Sequence, residues 1–358
     1  MKLAKNKGEW SELYAFLKLL SLGRLYAADE NVKRIDNVFF PVLRILREEE
    51  KTGHLDFEIS SQSGDVRILA EHNCIGNLPK KWIDWASKYL YSEICAGTAS
   101  AFEIDEASEI MSMLNINKVT APSSDKTDIT MQIHDINTGY EPICGFSIKS
   151  ELGSPPTLLN ASGATNFVFS IIGLNDSQVD EINSINSKHK ILDRIKAIQE
   201  KGEMRFEGAK NKTFSANLML IDTFMESIIA EMLIDYYLNN ANDCKTLVEH
   251  LETSNPLEYP RKGMYEYKFK KFLCSVALGM MPSKAWNGLD EANGGYVIVK
   301  QDGDVLAYHL YNRNAFETYL LNNTKFERGS TSKHGFATIY KDADGKQRIN
   351  LNLQIRFK

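Results

Sequence analysis

The stretch TDITMQIHDINTGYEPICGFSIKSELGS, residues 127–154, decides how this chain reads. Two short runs of alternating apolar residues, ITMQIHD and ICGFSIKS, flank the turn formers of NTGYEP, which predicts a β-hairpin. A strand sends successive side chains to opposite faces. Ser147, Lys149 and Glu151 therefore share one face of the returning strand and Ile148 takes the other. Asp128 enters the first strand and Lys149 lies near the end of the second, so the two approach each other across the pair although they are far apart in the chain. A carboxylate and a lysine set that way suit metal-dependent phosphodiester hydrolysis. The carboxylate holds a divalent cation on a phosphate oxygen, and the lysine orients an attacking water or helps to deprotonate it. Each also has a plain structural reading, Asp128 as a turn cap and Lys149 as a solubilising edge-strand residue. His134, on the polar side of its strand, reads as a hydrogen-bonded structural residue.

Before the hairpin lies a turn-rich loop, APSSDKTD (121–128), and after it ELGSPPTLLNASGATN (151–166), which is nearly free of charge. In the second loop Gly153 and Gly163 permit close backbone approach. Ser150, Ser154, Thr157, Asn160, Ser162, Thr165 and Asn166 offer hydrogen-bonding groups to phosphates. FVFSIIGL (167–174) reads as a buried strand, followed by helical segments near 176–200, 214–240 and 265–279. Two further hairpins, YVIVKQDGDVLAYHLY (296–311) and FATIYKDADGKQRINLNLQIRF (336–357), close the chain, with a short helix near 313–322 between them. Toward the N-terminus, residues 9–22 place Trp10, Leu13, Phe16, Leu17 and Leu20 at helical spacing, and Gly23 stops the helix. Short strands are expected between Leu25 and Leu69, then helices at 79–95 and 103–115.

At 358 residues, 43% of them hydrophobic, 25% charged and only 9 proline, the chain is neither fibrous nor disordered and has length for one large domain or two modest ones. Its net charge of −5 argues against a polyanion binder until it is divided. Residues 1–187 carry 17 Lys and Arg against 26 Asp and Glu, whereas residues 188–358 carry 25 against 21. The positive excess concentrates in 188–212, 258–271 and 325–358, the kind of footprint a phosphate backbone needs. Five scattered cysteines without a CxxC or zinc spacing read as free thiols. Glu9, Glu12 and Lys18 break the N-terminal apolar run, and Asp222, Glu226, Glu231 and Asp235 break the run at 218–238, so neither a signal peptide nor a membrane span is expected. A cytoplasmic location fits this usage.

KGEWSELYAFLKLL (7–20), TDIT (127–130) with GFSIKSELGSPPTLLNASGATNF (145–167), and INLNLQIRF (349–357) together resemble the HpaII family of type II restriction endonucleases over essentially the full length. The hairpin with its D…xxK pattern resembles the PD-(D/E)xK nuclease core. The resemblance implies an α/β fold, a restriction-endonuclease-like core of a mixed sheet flanked by helices, with additional C-terminal β-hairpins. It implies Mg²⁺-dependent cleavage of double-stranded DNA at a short palindrome, 5′-CCGG, leaving 5′-phosphate ends, and functional pairing with a cognate DNA methyltransferase. Asp128 matches the metal-binding aspartate and Lys149 the catalytic lysine. Where the pattern has Asp or Glu two residues before the lysine, this chain has Ser147, a poor Mg²⁺ ligand. The second acid is sought in Glu12, preferred and with Glu9 one turn earlier, or in Glu151, roughly 7 Å along the strand from Lys149. The Ile148 carbonyl is a further metal-ligand candidate. For Glu12 the plain alternative is the solvated face of its helix.

A CCGG site presents guanine edges, which Arg or Lys read best. Arg313, Lys325, Arg328, Lys333 and Arg261 are the candidates. Residues 1–240 are expected to form the catalytic core and 241–358 a set of helices and hairpins packed on it. Palindrome symmetry makes a homodimer natural. A DNA-binding module that has lost a metal ligand, and a nuclease with nonspecific or structure-specific substrates, are the competing readings.

Overall fold

Asn6 accepts the Glu9 amide at 2.9 Å and the Glu9 carboxylate accepts the Asn6 amide at 3.0 Å, a reciprocal cap that starts α1 (Lys7–Leu22). The structure, a computed structural model, describes residues 3–120, 127–308 and 313–358; most of the expected loop 121–128 and the end of the hairpin 296–311 lie outside it. Gly23 ends α1 at φ +60°, a left-handed conformation that glycine adopts without steric cost. Trp10, Leu13, Phe16, Leu17 and Leu20 are all buried, as their spacing predicts. At about 1.5–3 kcal/mol for each large side chain withdrawn from water, α1 is anchored firmly enough to hold Glu12 in a fixed place.

The chain continues through β1 (Arg24–Ala28), β2 (Arg34–Glu49), β3 (Gly53–Ile59), β4 (Val66–Ala70), β5 (Asn73–Leu78), α2 (Lys80–Ala96), α3 (Ala107–Met113), β6 (Ile129–Ile133) and β7 (Ile143–Ser150). Next come β8 (Thr157–Leu159), β9 (Asn166–Ile172), α4 (Asp176–Ser184), α5 (Lys190–Lys201), β10 (Glu203–Ala209), α6 (Lys212–Ile221), α7 (Met225–Asn239), α8 (Cys244–Ser254) and α9 (Met264–Leu278). The last part holds β11 (Gly295–Val299), β12 (Val305–Tyr308), α10 (Arg313–Asn323), β13 (Thr324–Phe326), α11 (Thr331–His334), β14 (Ile339–Lys341), β15 (Gln347–Asn352) and β16 (Ile355–Phe357).

These elements make a mixed α/β protein, as expected, in two compact units. The first comprises residues 1–156 and 290–316. Its sheet runs β1-β12-β11-β7-β6-β2-β3-β4-β5, and β1 also pairs with β2, so β1, β12, β11, β7, β6 and β2 close into a ring. The second unit comprises residues 157–289 and 317–358, with two smaller sheets, β10-β9-β15-β14 and β13-β16-β8.

The units do not divide at residue 240. The reason is β11, GYVIV, which is buried throughout and pairs in parallel with β7, so a late segment of the chain returns to the sheet that carries Lys149. The first tail hairpin is thus part of the main sheet rather than an addition to a completed core. Each of the long helical segments near 176–200 and 214–240 is two helices, and β10 and α8 went unpredicted.

Candidate active site

The register of the central hairpin sets the site. Ile129 lies opposite Phe146 and Thr130 opposite Gly145. The Asp128 amide adds one bond to the ladder, donating to the Phe146 carbonyl at 2.9 Å. Continued by one residue, this register puts Asp128 opposite Ser147. Gly145 permits the approach, because a Cβ there would stand 2.7 Å from Thr127 Cγ2 and push away the segment that delivers Asp128.

Ser147, 3% exposed, donates its hydroxyl to Asp128 Oδ2 at 3.0 Å, and the Ile148 amide donates to the same oxygen at 2.6 Å. Lys149 Nζ donates to Ser147 Oγ at 2.8 Å. Tyr296 on β11 lies opposite Ser147, and its ring centroid is 5.2 Å from Lys149 Nζ, within the range at which an aromatic face attracts a cation. Burial pulls the Lys149 pKa down, and the negative charges of Asp128 and Glu12 oppose that pull. Lys149 as a whole is half-buried.

Helix α1 is tied to β7 beside the lysine. Ser11 gives its proton to the Lys7 carbonyl at 2.6 Å, so in its 2.7 Å contact with Ser150 it is Ser150 that donates. The neighbouring Glu12 lines a cleft of about 170 Å³ with Asp128, Thr127, Phe16, Arg47 and Lys118. Glu12 and Asp128 thus line one cleft, and Lys149, which does not line it, feels the charge of both. A strand residue points its N–H and C=O toward the same edge. The Ile148 amide bonds to Asp128, so its carbonyl is directed to that side too.

The other acid candidates lie elsewhere. Glu9 is occupied by its helix cap and by Lys5 at 2.9 Å. Glu151 is exposed beyond the end of β7, accepts the Gln301 amide at 3.4 Å and does not line the cleft. Among the described residues no three His, Cys, Asp or Glu side chains gather as a metal cluster. Two carboxylates with one main-chain carbonyl still fit Mg²⁺, which commonly takes one or two protein carboxylates and fills its shell with water and substrate phosphate. His134 pairs with Glu141 at 3.1 Å, in keeping with a structural role.

The residues proposed from sequence for DNA separate into exposed and engaged groups. Ser154 and Asn160 are exposed. Ser150 is held by Ser11 and by the Leu152 amide, Thr157 accepts from Arg356 at 3.4 Å, and Ser162 caps a 3₁₀ turn at Gly163–Thr165. Asn166 corrects the expectation. It is 1% exposed, donates to the His334 carbonyl at 2.9 Å and accepts from Asn352 at 2.7 Å, so its amide joins β9 to its surroundings rather than facing solvent. Thr165 is likewise buried.

Of the basic candidates, Arg261, Arg328 and Lys333 are exposed, Lys325 is half-buried on β13 opposite Arg356, and Arg313 pairs with Asp290 at 3.3 Å. Sequence counts overstate the free charge of the three basic segments. Arg194 is buried on the Ala337, Asn183 and Ile185 carbonyls, and Lys268, Lys271 and Arg348 pair with Asp222, Glu317 and Asp342.

Sequence reasoning missed Tyr296, Arg47 and Lys118. Arg47 lies 5.3 Å from the Phe16 ring centroid and is held by Glu49 at 3.1 Å and the Lys118 carbonyl at 2.9 Å. Only alternation along RILREE could have suggested it.

The sequence pattern of a family described as HpaII restriction endonuclease matches residues 6–357. The chain is 42% identical over 357 residues to the type II restriction enzyme HpaII of Haemophilus parainfluenzae, covering 98% of each chain. No solved structure matches it.

Proposed function

Because the chain belongs to the HpaII restriction endonuclease family, it is a type II restriction endonuclease acting on DNA, and we propose that its catalytic centre is formed by Asp128 and Glu12, which line one cleft, together with Lys149, which is linked to Asp128 through Ser147. The observation that carries this reading is the chain of contacts from Asp128 through Ser147 to Lys149, with Glu12 facing the same cleft. We read β6 and β7 as the hairpin of a PD-(D/E)xK nuclease core whose usual second acid has moved to α1.

Asp128 and Glu12, with the Ile148 carbonyl, would hold a divalent cation, Mg²⁺ in this proposal. When bound, the ion supplies Lewis-acid polarisation of a scissile phosphate oxygen. Lys149 has three N–H donors and gives one to Ser147, so others are left for the attacking water and a phosphate oxygen. Burial pulls its pKa down against the charges of Asp128 and Glu12, and in this reading it orients the attacking water or helps to deprotonate it. Arg47 and Lys118 add positive charge along the cleft for an adjacent phosphate.

The substrate in this reading is double-stranded DNA cut at 5′-CCGG to leave 5′-phosphate ends. Arg313, Lys325, Arg328 and Lys333 are the groups for guanine edges. Ser154, Thr157, Asn160 and Ser162 are those for the backbone. A twofold site calls for two copies of the chain, and a host needs a cognate methyltransferase to protect its own sites. No helix among the described residues is long and apolar enough to cross a membrane, and all five cysteines are free. Free thiols support a cytoplasmic location.

Plasmid DNA incubated with the protein and Mg²⁺ should give discrete fragments, and none when EDTA is present. A smear would instead mean nonspecific cleavage. The second acid is identified by paired variants. Glu12→Gln is expected to slow cutting by roughly a hundredfold or more, with DNA binding retained, while Glu151→Gln stays within about threefold of the parent because Glu151 is exposed and turned to the Gln301 amide. The opposite pattern would assign the role to Glu151.

A further inference from the structure

The position that departs from the nuclease pattern has its own geometry. A lysine ammonium can only donate hydrogen bonds, so in its 2.8 Å contact Ser147 Oγ must be the acceptor. The serine has a single proton, and it goes to Asp128 Oδ2 at 3.0 Å. The direction of the chain Lys149→Ser147→Asp128 is thereby determined. Ser147 is buried on β7, opposite Tyr296, so its hydroxyl has little freedom to turn elsewhere.

We propose that Ser147 is a positioning residue of the cleavage reaction, a neutral spacer that keeps the Lys149 ammonium off the Asp128 carboxylate while fixing both side chains. This rests on the assignment of Asp128 and Lys149 to the catalytic centre. Without the hydroxyl, Asp128, the larger of the two negative charges that act on Lys149, is left to accept the ammonium directly, and such an ion pair would draw its carboxylate away from a cation. Ser147 and the Ile148 amide both bond to Oδ2, so Oδ1 is the oxygen left to face a cation. In this view the serine is no vestige of a lost metal ligand. A carboxylate at 147 would compete for Lys149 and repel Asp128.

The test compares Ser147→Ala, Ser147→Thr, Ser147→Cys and Ser147→Asp in the full-length protein, with plasmid DNA and Mg²⁺ and with thermal melting as the check on folding. Ser147→Ala is expected to lower kcat by about ten- to a hundredfold with KM for DNA within about twofold. Threonine, which keeps the hydroxyl, should recover most of the rate. Cysteine, similar in size but a weak hydrogen-bonding group, should fall with alanine, and aspartate should fall at least as far. A metal-free crystal structure of Ser147→Ala should show Nζ bonded directly to Asp128. The inference is overturned if alanine cuts at the parental rate, if Nζ stays in place in that crystal, or if Ser147→Asp cuts faster than the parent. Asp128→Asn in the same assay separates the two levels. If it cuts like the parent, the assignment of the centre fails; if it is inactive while Ser147→Ala is fully active, only the role of Ser147 fails.

Discussion

Lys149→Ala is expected to cut DNA about a thousandfold more slowly than the parent, within the range that positioned acid–base groups contribute, while binding DNA with nearly unchanged affinity. Among the described residues the two cations that line the cleft, Arg47 and Lys118, are each paired with a neighbouring carboxylate, so neither replaces the lysine. Its Nζ is set between the Ser147 hydroxyl and the Tyr296 ring and sits in the field of Asp128 and Glu12, whereas Arg47 is already tied to Glu49 and the Lys118 carbonyl. Lys149→Arg should fall almost as far. A guanidinium keeps the charge but cannot give up its proton at working pH, and its planar fork does not fit a site built around one ammonium. The fold should survive both changes, since a hydrogen bond from a charged group contributes only about 1.5–3 kcal/mol net. Single-turnover cleavage and a filter-binding isotherm measure the two quantities. Parental cleavage by Lys149→Ala would remove the lysine from the mechanism.

Asp128→Asn should reduce cleavage at least as severely, by a thousandfold or more, because a cation held for phosphodiester hydrolysis is worth several kcal/mol to the transition state. The amide is nearly the same size, so packing is preserved. Its neutral oxygen can still accept the Ile148 amide but offers a cation far less than a carboxylate does. A second consequence has the opposite sign. Without metal, the carboxylates of Asp128 and Glu12 in the cleft proposed for phosphate would repel it, so Asp128→Asn should bind DNA in EDTA as tightly as the parent or more tightly. Weaker binding by the variant in EDTA would show that Asp128 supports the surface rather than the chemistry.

What was legible in the sequence follows from how local each feature is. Asp128 and Lys149 belong to one hairpin, and a hairpin's register follows from its turn and its alternation, so their approach could be read directly. Glu12 needed one further step, the apolar stripe of α1, which says which side of the helix is buried but not which strand it meets. That information lies in the bond between Ser11 and Ser150, and two serines among many carry no signal. Tyr296 was beyond reach because β11 pairs with β7 from far along the chain, in parallel, and parallel pairing leaves no turn to mark it. The grouping of residues 290–316 with residues 1–156 has no local signal for the same reason.

Asn166 looked like a phosphate donor in a polar loop. Its burial depends on Asn352, a partner from the tail, and composition cannot distinguish a polar group facing solvent from one paired in a core. The basic segments show the same effect in charge, since Arg194 and Lys268 count as positive in sequence yet are committed to carbonyls and to Asp222.

The most direct test of the proposed centre is anomalous scattering from Mn²⁺ in crystals of the protein with a CCGG duplex. A peak is expected within about 2.6 Å of carboxylate oxygens of both Asp128 and Glu12, with Lys149 Nζ beside it. A peak on Glu151, or one that does not touch Asp128, would contradict it.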